Sequence, residues 1–124
     1  MATIRKSRKV SEEFVEHCKV AKWLDDRHIL YTHPPNGERR ELLAGIRLKA
    51  MGVKRGVPDL LIFKLAPKQT EYRGVAIEMK ASKGKVSFHQ QKFMAMLWDE
   101  GWLVKVCFNA EDAIRFLSEE CGYA

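Results

Sequence analysis

An α/β sandwich, a mixed sheet with helices packed on it, is the fold class this chain predicts. Three observations predict it. Apolar residues recur at helical spacing in several stretches, and short apolar runs of strand character lie between them. Turn and capping residues punctuate the boundaries. The resulting order is helix, strand, helix, strand, strand, helix, strand, helix, with no internal repeat, low-complexity segment or linker.

Ser11 is placed to cap a first helix running to about Asp26, with Glu12 and Glu13 in the turn where the helix dipole favours acids. Phe14, Cys18 and Ala21 mark one apolar stripe, widened by Val20 and Leu24. His28 to His33 reads as a short strand, stopped by the turn signal Pro34-Pro35-Asn36-Gly37. From about Glu38 to Met51, Leu42, Leu43, Ile46 and Ala50 repeat at helical spacing, and Gly52 suits the stop.

Pro58 to Phe63 is the next strand, its proline at the entry where a missing N–H is tolerable. A polar link from Pro67 to Glu71 leads into the strand Arg73 to Lys80, and the two strands are expected to pair as an antiparallel hairpin. Ser82 to Lys85 is a basic, glycine-containing loop. Ser87 and Gln90 have capping-box spacing and open a helix through Phe93, Met94 and Leu97 that ends before Gly101. Trp102 to Phe108 is an apolar strand, and Asn109 caps a last helix carrying Ala113, Ile114, Phe116 and Leu117.

At 124 residues with 46% hydrophobic content, the chain is sized for one compact core. We expect a basic leader over residues 1–10, with Arg5, Lys6, Arg8 and Lys9, ahead of a single domain over 11–124. The formal charge of +6 and pI near 9.3 suit a polyanionic partner. Cys18, Cys107 and Cys121 are too few and scattered for a disulfide framework or zinc knuckle; Cys18 and Cys107 are expected in the core. Neither a signal peptide nor a membrane span is readable, so an intracellular, cytoplasmic setting is the expectation, with no membrane partner.

The chemistry concentrates in two strands. Side chains alternate along a strand, so Glu78 and Lys80 stand on one face, and Asp59 can join them from the neighbouring strand. Two carboxylates and an ammonium at a strand end suit a hard divalent cation with a catalytic cation beside it. In a basic chain, the anion to be attacked there is a nucleic-acid phosphate. The plainer reading is a surface ion pair of little energetic worth. His17, His28, His33 and His89 show no paired zinc spacing.

Pro58-Asp59 with Glu78-Met79-Lys80 resembles the PD-(D/E)xK nuclease superfamily. Pro35-Asn36-Gly37, the segment Gly52-Val53-Lys54-Arg55-Gly56-Val57-Pro58-Asp59, Ile77 to Lys80, Ser87-x-x-Gln90 and Gly101 together resemble the VRR-NUC family, from about Ser11 to Leu117. Where that family carries Val-Arg-Arg, this chain has Val53-Lys54-Arg55. The resemblance implies a restriction-endonuclease-like αβββαβ core and a metal-dependent DNA nuclease.

Carried over by position, Asp59 and Glu78 would hold the metal with the Met79 carbonyl, Lys80 would be the catalytic lysine, and Gln90 would face the site. Glu13 matches the first-helix glutamate best, with Glu16 as its rival and Glu12 behind it; His17 falls where relatives often carry glutamine. The implied cofactor is Mg2+, with Mn2+ as substitute. The implied partners are DNA, preferentially a four-way (Holliday) junction or other branched form, and a second copy in a homodimer. A bacterial cell, with a phage-encoded chain acting on nucleoid DNA, is the setting that small stand-alone members imply. Asn36, Lys54, Arg55, Lys83 and Lys85 are the candidate DNA contacts. The alternatives are a flap, single-strand or duplex nuclease, or a noncatalytic DNA-binding module on a nuclease fold.

Overall fold

The computed structural model describes residues 11–35 and 42–124. The expected leader, the turn residues Asn36 and Gly37 and the start of the second helix lie outside the described residues. The elements run α1 (Glu12–Asp26), β1 (Tyr31–Thr32), α2 (Leu42–Ala50), β2 (Leu60–Ile62), β3 (Val75–Met79), α3 (Phe88–Asp99), β4 (Leu103–Cys107) and α4 (Ala110–Arg115), closed by a π-helical turn (Phe116–Glu120). The order matches the sequence expectation, with shorter strands.

The sheet is mixed, in the order β1-β2-β3-β4. β2 and β3 form the expected antiparallel pair, with Leu60 opposite Ile77, and β3 runs parallel to β4. A tight turn cannot join parallel neighbours, so α3 makes the crossover between them. All five residues of β3 are buried, as a central strand requires. Val75, Ile77 and Met79 enter the main core with Leu60, Ile62, Val20, Leu24 and Leu117. By strand alternation, Ala76 and Glu78 occupy the opposite, equally buried face.

The predicted caps are present. The Ser11 side chain accepts from Phe14 N–H at 3.1 Å, and Asn109 accepts from Asp112 N–H at 2.8 Å. Of the expected stripe of α1, Val20 and Leu24 are the residues that are buried. Val20 and Leu24 face the core, and Glu13 and His17 precede them at helical spacing (i, i+4, i+7, i+11). Cys18 lies two residues from Val20, about 200° around the helix, and is exposed, contrary to expectation; Cys107 is buried. Phe14 (59% exposed) and Val15 (42%) join Cys18 on the outward side. Ile46, in the helical repeat of α2, is 55% exposed. Among the described residues, the principal packing contacts run between α1, α4 and β3, between α3 and β4, and within the sheet.

Gly56, in the lead-in to β2, lets two elements meet. Its φ is +82°, and a Cβ there would sit 2.2 Å from the His89 carbonyl oxygen and 2.8 Å from Gln90 N. The approach of backbone to backbone sets the first turn of α3 against the segment that carries Asp59. Gly56→Ala should therefore destabilise the protein by roughly 2–4 kcal/mol, through strain and overpacking together. Urea unfolding checks this, and a loss under about 0.5 kcal/mol would contradict it.

Candidate metal and phosphate site

The β2–β3 register assembles the site. One step beyond the Leu60–Ile77 pair, the two strands reach Asp59 and Glu78. Asp59 is held at both ends: its Oδ2 accepts from Met79 N–H at 2.8 Å, and its main-chain carbonyl lies 2.6 Å from His33 Nδ1. Glu78 is 1% exposed. Its Oε1 accepts from Gln90 Nε2 at 3.0 Å and lies 3.6 Å from Lys80 Nζ. Glu78 Oε2 is buried with no hydrogen-bond partner among the described residues. Met79 meets the site through its N–H, while its side chain is core.

Gln90 is pinned as well as pinning. Its Oε1 accepts from Ser87 N–H at 2.9 Å, and Ser87 Oγ accepts from Gln90 N–H at 3.2 Å, which closes the capping box. One amide thus closes the helix N-terminus with its oxygen and orients Glu78 with its nitrogen.

From α1, Glu13 brings a carboxylate oxygen to within 4.8 Å of ligand atoms of both Asp59 and Glu78. Glu16 points elsewhere: it pairs with Lys19 at 2.7 Å and accepts from Ala110 N–H at 3.3 Å. Glu12 is exposed. Helical geometry separates the three acids: at about 100° per residue Glu13 lies about 20° from both Val20 and Leu24, with Glu16 turned about 60° from Glu13 and Glu12 about 100°.

Burial pushes the Glu78 carboxyl up, with the neighbouring Asp59 charge adding to it and Lys80 opposing, to about 8. A carboxyl in this state is short of cationic charge. The partnerless Oε2, with oxygens of Asp59 and Glu13 close by, is a donor set that fits a hard divalent ion of the magnesium class. Lys54, Arg55, Lys83 and Lys85 are all exposed and available to a polyanion, whereas Asn36 lies outside the described residues.

Sequence reasoning did not bring His33 or His17 to this place. Their rings meet edge-on with centroids 4.5 Å apart. Burial, and then the nearby His33, push the His17 imidazole below its ordinary value, with Asp59 opposing. The signal available was helical: His17 is four residues after Glu13 and three before Val20. His33 carried none, because its approach depends on how β1 docks against β2.

A family model for the VRR-NUC domain matches residues 2–110. A solved structure described as a "VRR_NUC domain protein" superposes with a TM-score of 0.70 at 25% identity, covering 90% of this chain and 88% of that one. A comparison with curated proteins finds no match. Among the described residues, no helix is long and apolar enough to cross a membrane.

The Glu78 carboxyl titrates higher in the folded chain (about 8) than its ordinary 4.5, so the native state binds more protons between those values. Its contribution to stability is complete below the lower value and is lost as pH rises through the upper one. Metal-free protein should thus lose stability from about pH 5 to about pH 8, and Glu78→Gln should flatten the slope. Denaturant unfolding in chelator measures this. A wild-type slope equal to that of Glu78→Gln would contradict it.

Proposed function

The chain belongs to the VRR-NUC family, a nuclease-fold group of DNA-processing proteins, and from that premise we propose that it is a metal-dependent DNA endonuclease. The observation that carries this reading is the buried, partnerless Oε2 of Glu78 beside Asp59 and Glu13. A structural ion pair has no use for an orphaned buried carboxylate oxygen, which costs free energy unless a ligand answers it.

In this reading Asp59, Glu78, Glu13 and the Met79 carbonyl hold Mg2+, with Mn2+ as substitute. The bound ion would supply activation of water and neutralisation of phosphate charge. The protein's own groups divide the remaining work. The Met79 N–H occupies Asp59 Oδ2 and leaves the other carboxylate oxygen of Asp59 for binding. Gln90 and Lys80 hold Glu78 Oε1, which aims Oε2 at the site. The Lys80 ammonium orients the scissile phosphate or the attacking water. The water oxygen bonds to phosphorus, one P–O ester bond breaks, and the leaving oxygen takes up a proton.

Lys54, Arg55, Lys83 and Lys85 grip phosphates without reading bases, and Asn36 joins them, so affinity falls steeply as salt rises. The substrate is branched DNA, with a four-way junction preferred, cut by a homodimer whose two centres face opposing strands. The outward apolar side of α1, with Phe14 and Val15, supports such pairing. A chain that bound DNA and never cut it would instead be a recognition module on a nuclease fold.

Labelled junction, flap and duplex DNA incubated with Mg2+, Mn2+ or chelator test the proposal. Asp59→Ala and Lys80→Ala should each lower cleavage by at least about 100-fold while the fold is retained, and Gln90→Ala by about tenfold. Cleavage that survives chelator, or that proceeds unchanged in Lys80→Ala, would refute it. Light scattering checks the dimer, which a monomer at working concentration would exclude.

A further inference from the structure

We propose that His17, His33 and Asp59 form a second cation site, for a divalent transition ion of the zinc class, beside the carboxylate cluster and sharing Asp59 with it. One ring nitrogen from each imidazole and a carboxylate oxygen of Asp59 all lie within 4.8 Å of one another. Ligand bonds of about 2.1 Å in a tetrahedral site put donor atoms about 3.4 Å apart. Closing the difference takes small side-chain rotations that keep the contact between His33 Nδ1 and the Asp59 carbonyl.

The second observation is the tautomer. His33 Nδ1 lies 2.6 Å from the Asp59 main-chain carbonyl. A carbonyl only accepts, so Nδ1 carries the proton and Nε2 keeps the lone pair. A hydrogen bond from the non-ligating ring nitrogen to a carbonyl is the usual means of fixing a metal-binding histidine. Here the carbonyl belongs to the third ligand, so one contact positions two of the three. His17 is fixed differently, by its place on the buried side of α1 ahead of Val20.

The donor set separates this site from its neighbour. Glu13, Asp59 and Glu78 offer oxygen only, which suits magnesium. Two imidazoles and a carboxylate suit zinc, cobalt or nickel, and three protein ligands leave a fourth position open for water or a phosphate oxygen. His33 lies at the surface and provides the way in. The assignment goes beyond the nuclease reading and does not require cleavage.

The full chain, held in excess Mg2+ to fill the oxygen site, is titrated with Zn2+ while imidazole nitrogen resonances are followed by NMR. His17 and His33 should shift, with His28 and His89 as internal controls that do not. Co2+ titration should show one ion bound with nitrogen ligation in its visible spectrum. Its affinity should fall at least about tenfold in His17→Ala and in His33→Ala and persist in Glu78→Gln. Should an alanine variant fail to fold, His33→Gln, whose amide can still donate to the Asp59 carbonyl, replaces it. Unshifted His17 and His33 resonances would overturn the proposal. So would Co2+ affinity that is lost in Glu78→Gln and kept in the histidine variants, since the ion would then reside in the carboxylate cluster.

Discussion

A carboxylate is buried in the central strand of the sheet, and the rest of the site answers to it. Glu78 belongs to β3, whose residues are all inaccessible to solvent. An ionised carboxylate taken out of water is costly unless it is paired and hydrogen-bonded. The chain supplies one oxygen with an amide donor and an ammonium, whereas the other has the Asp59 carboxylate nearby and no hydrogen-bond donor among the described residues. The fold offsets part of the desolvation cost, and the acidic groups around the second oxygen could hold a metal ion. Burial, with the Asp59 charge beside it, raises the titration of Glu78, and Asp59 and Glu13 lie within reach of the same point.

Holding such a group requires neighbours that cannot swing away. Gln90 cannot, because its oxygen is committed to the capping box of α3. The first turn of α3 cannot either, because Gly56 brings the β2 lead-in against it. Asp59 is fixed by a main-chain donor of β3 and, through its own carbonyl, by His33 at the end of β1. Residues just after β1 and just before β2, with others from β3 and from two helices, thus meet at one end of the sheet. A polar network in a low-dielectric setting stiffens when its members are satisfied. Among the described residues, Glu78 Oε2 is the buried side-chain atom left without a hydrogen-bond partner, and it lies in this network.

Much of this was legible in the sequence, and the part that was not has a physical reason. Capping residues are local signals, so Ser11, Ser87 with Gln90, and Asn109 marked the starts of their helices correctly. Strand alternation placed Glu78 beside Lys80, and the hairpin register brought Asp59 opposite. On α1 the sequence pattern includes Val20 and Leu24 correctly but extends to the apolar Phe14 and Cys18, whereas the inward side continues through the polar Glu13 and His17. The exposure of Ile46 was not legible, because helical periodicity identifies an apolar face without saying what covers it. The approach of His33 to Asp59 depends on tertiary docking, which no local pattern encodes.

Anomalous diffraction from crystals of the chain soaked in Mn2+ tests the central claim most directly. The account predicts a peak bonded to Glu78 Oε2 and to an oxygen of Asp59, at about 2.1–2.2 Å. It is contradicted if saturating Mn2+ leaves no peak between those residues and Glu78 Oε2 is found hydrogen-bonded to a protein donor instead.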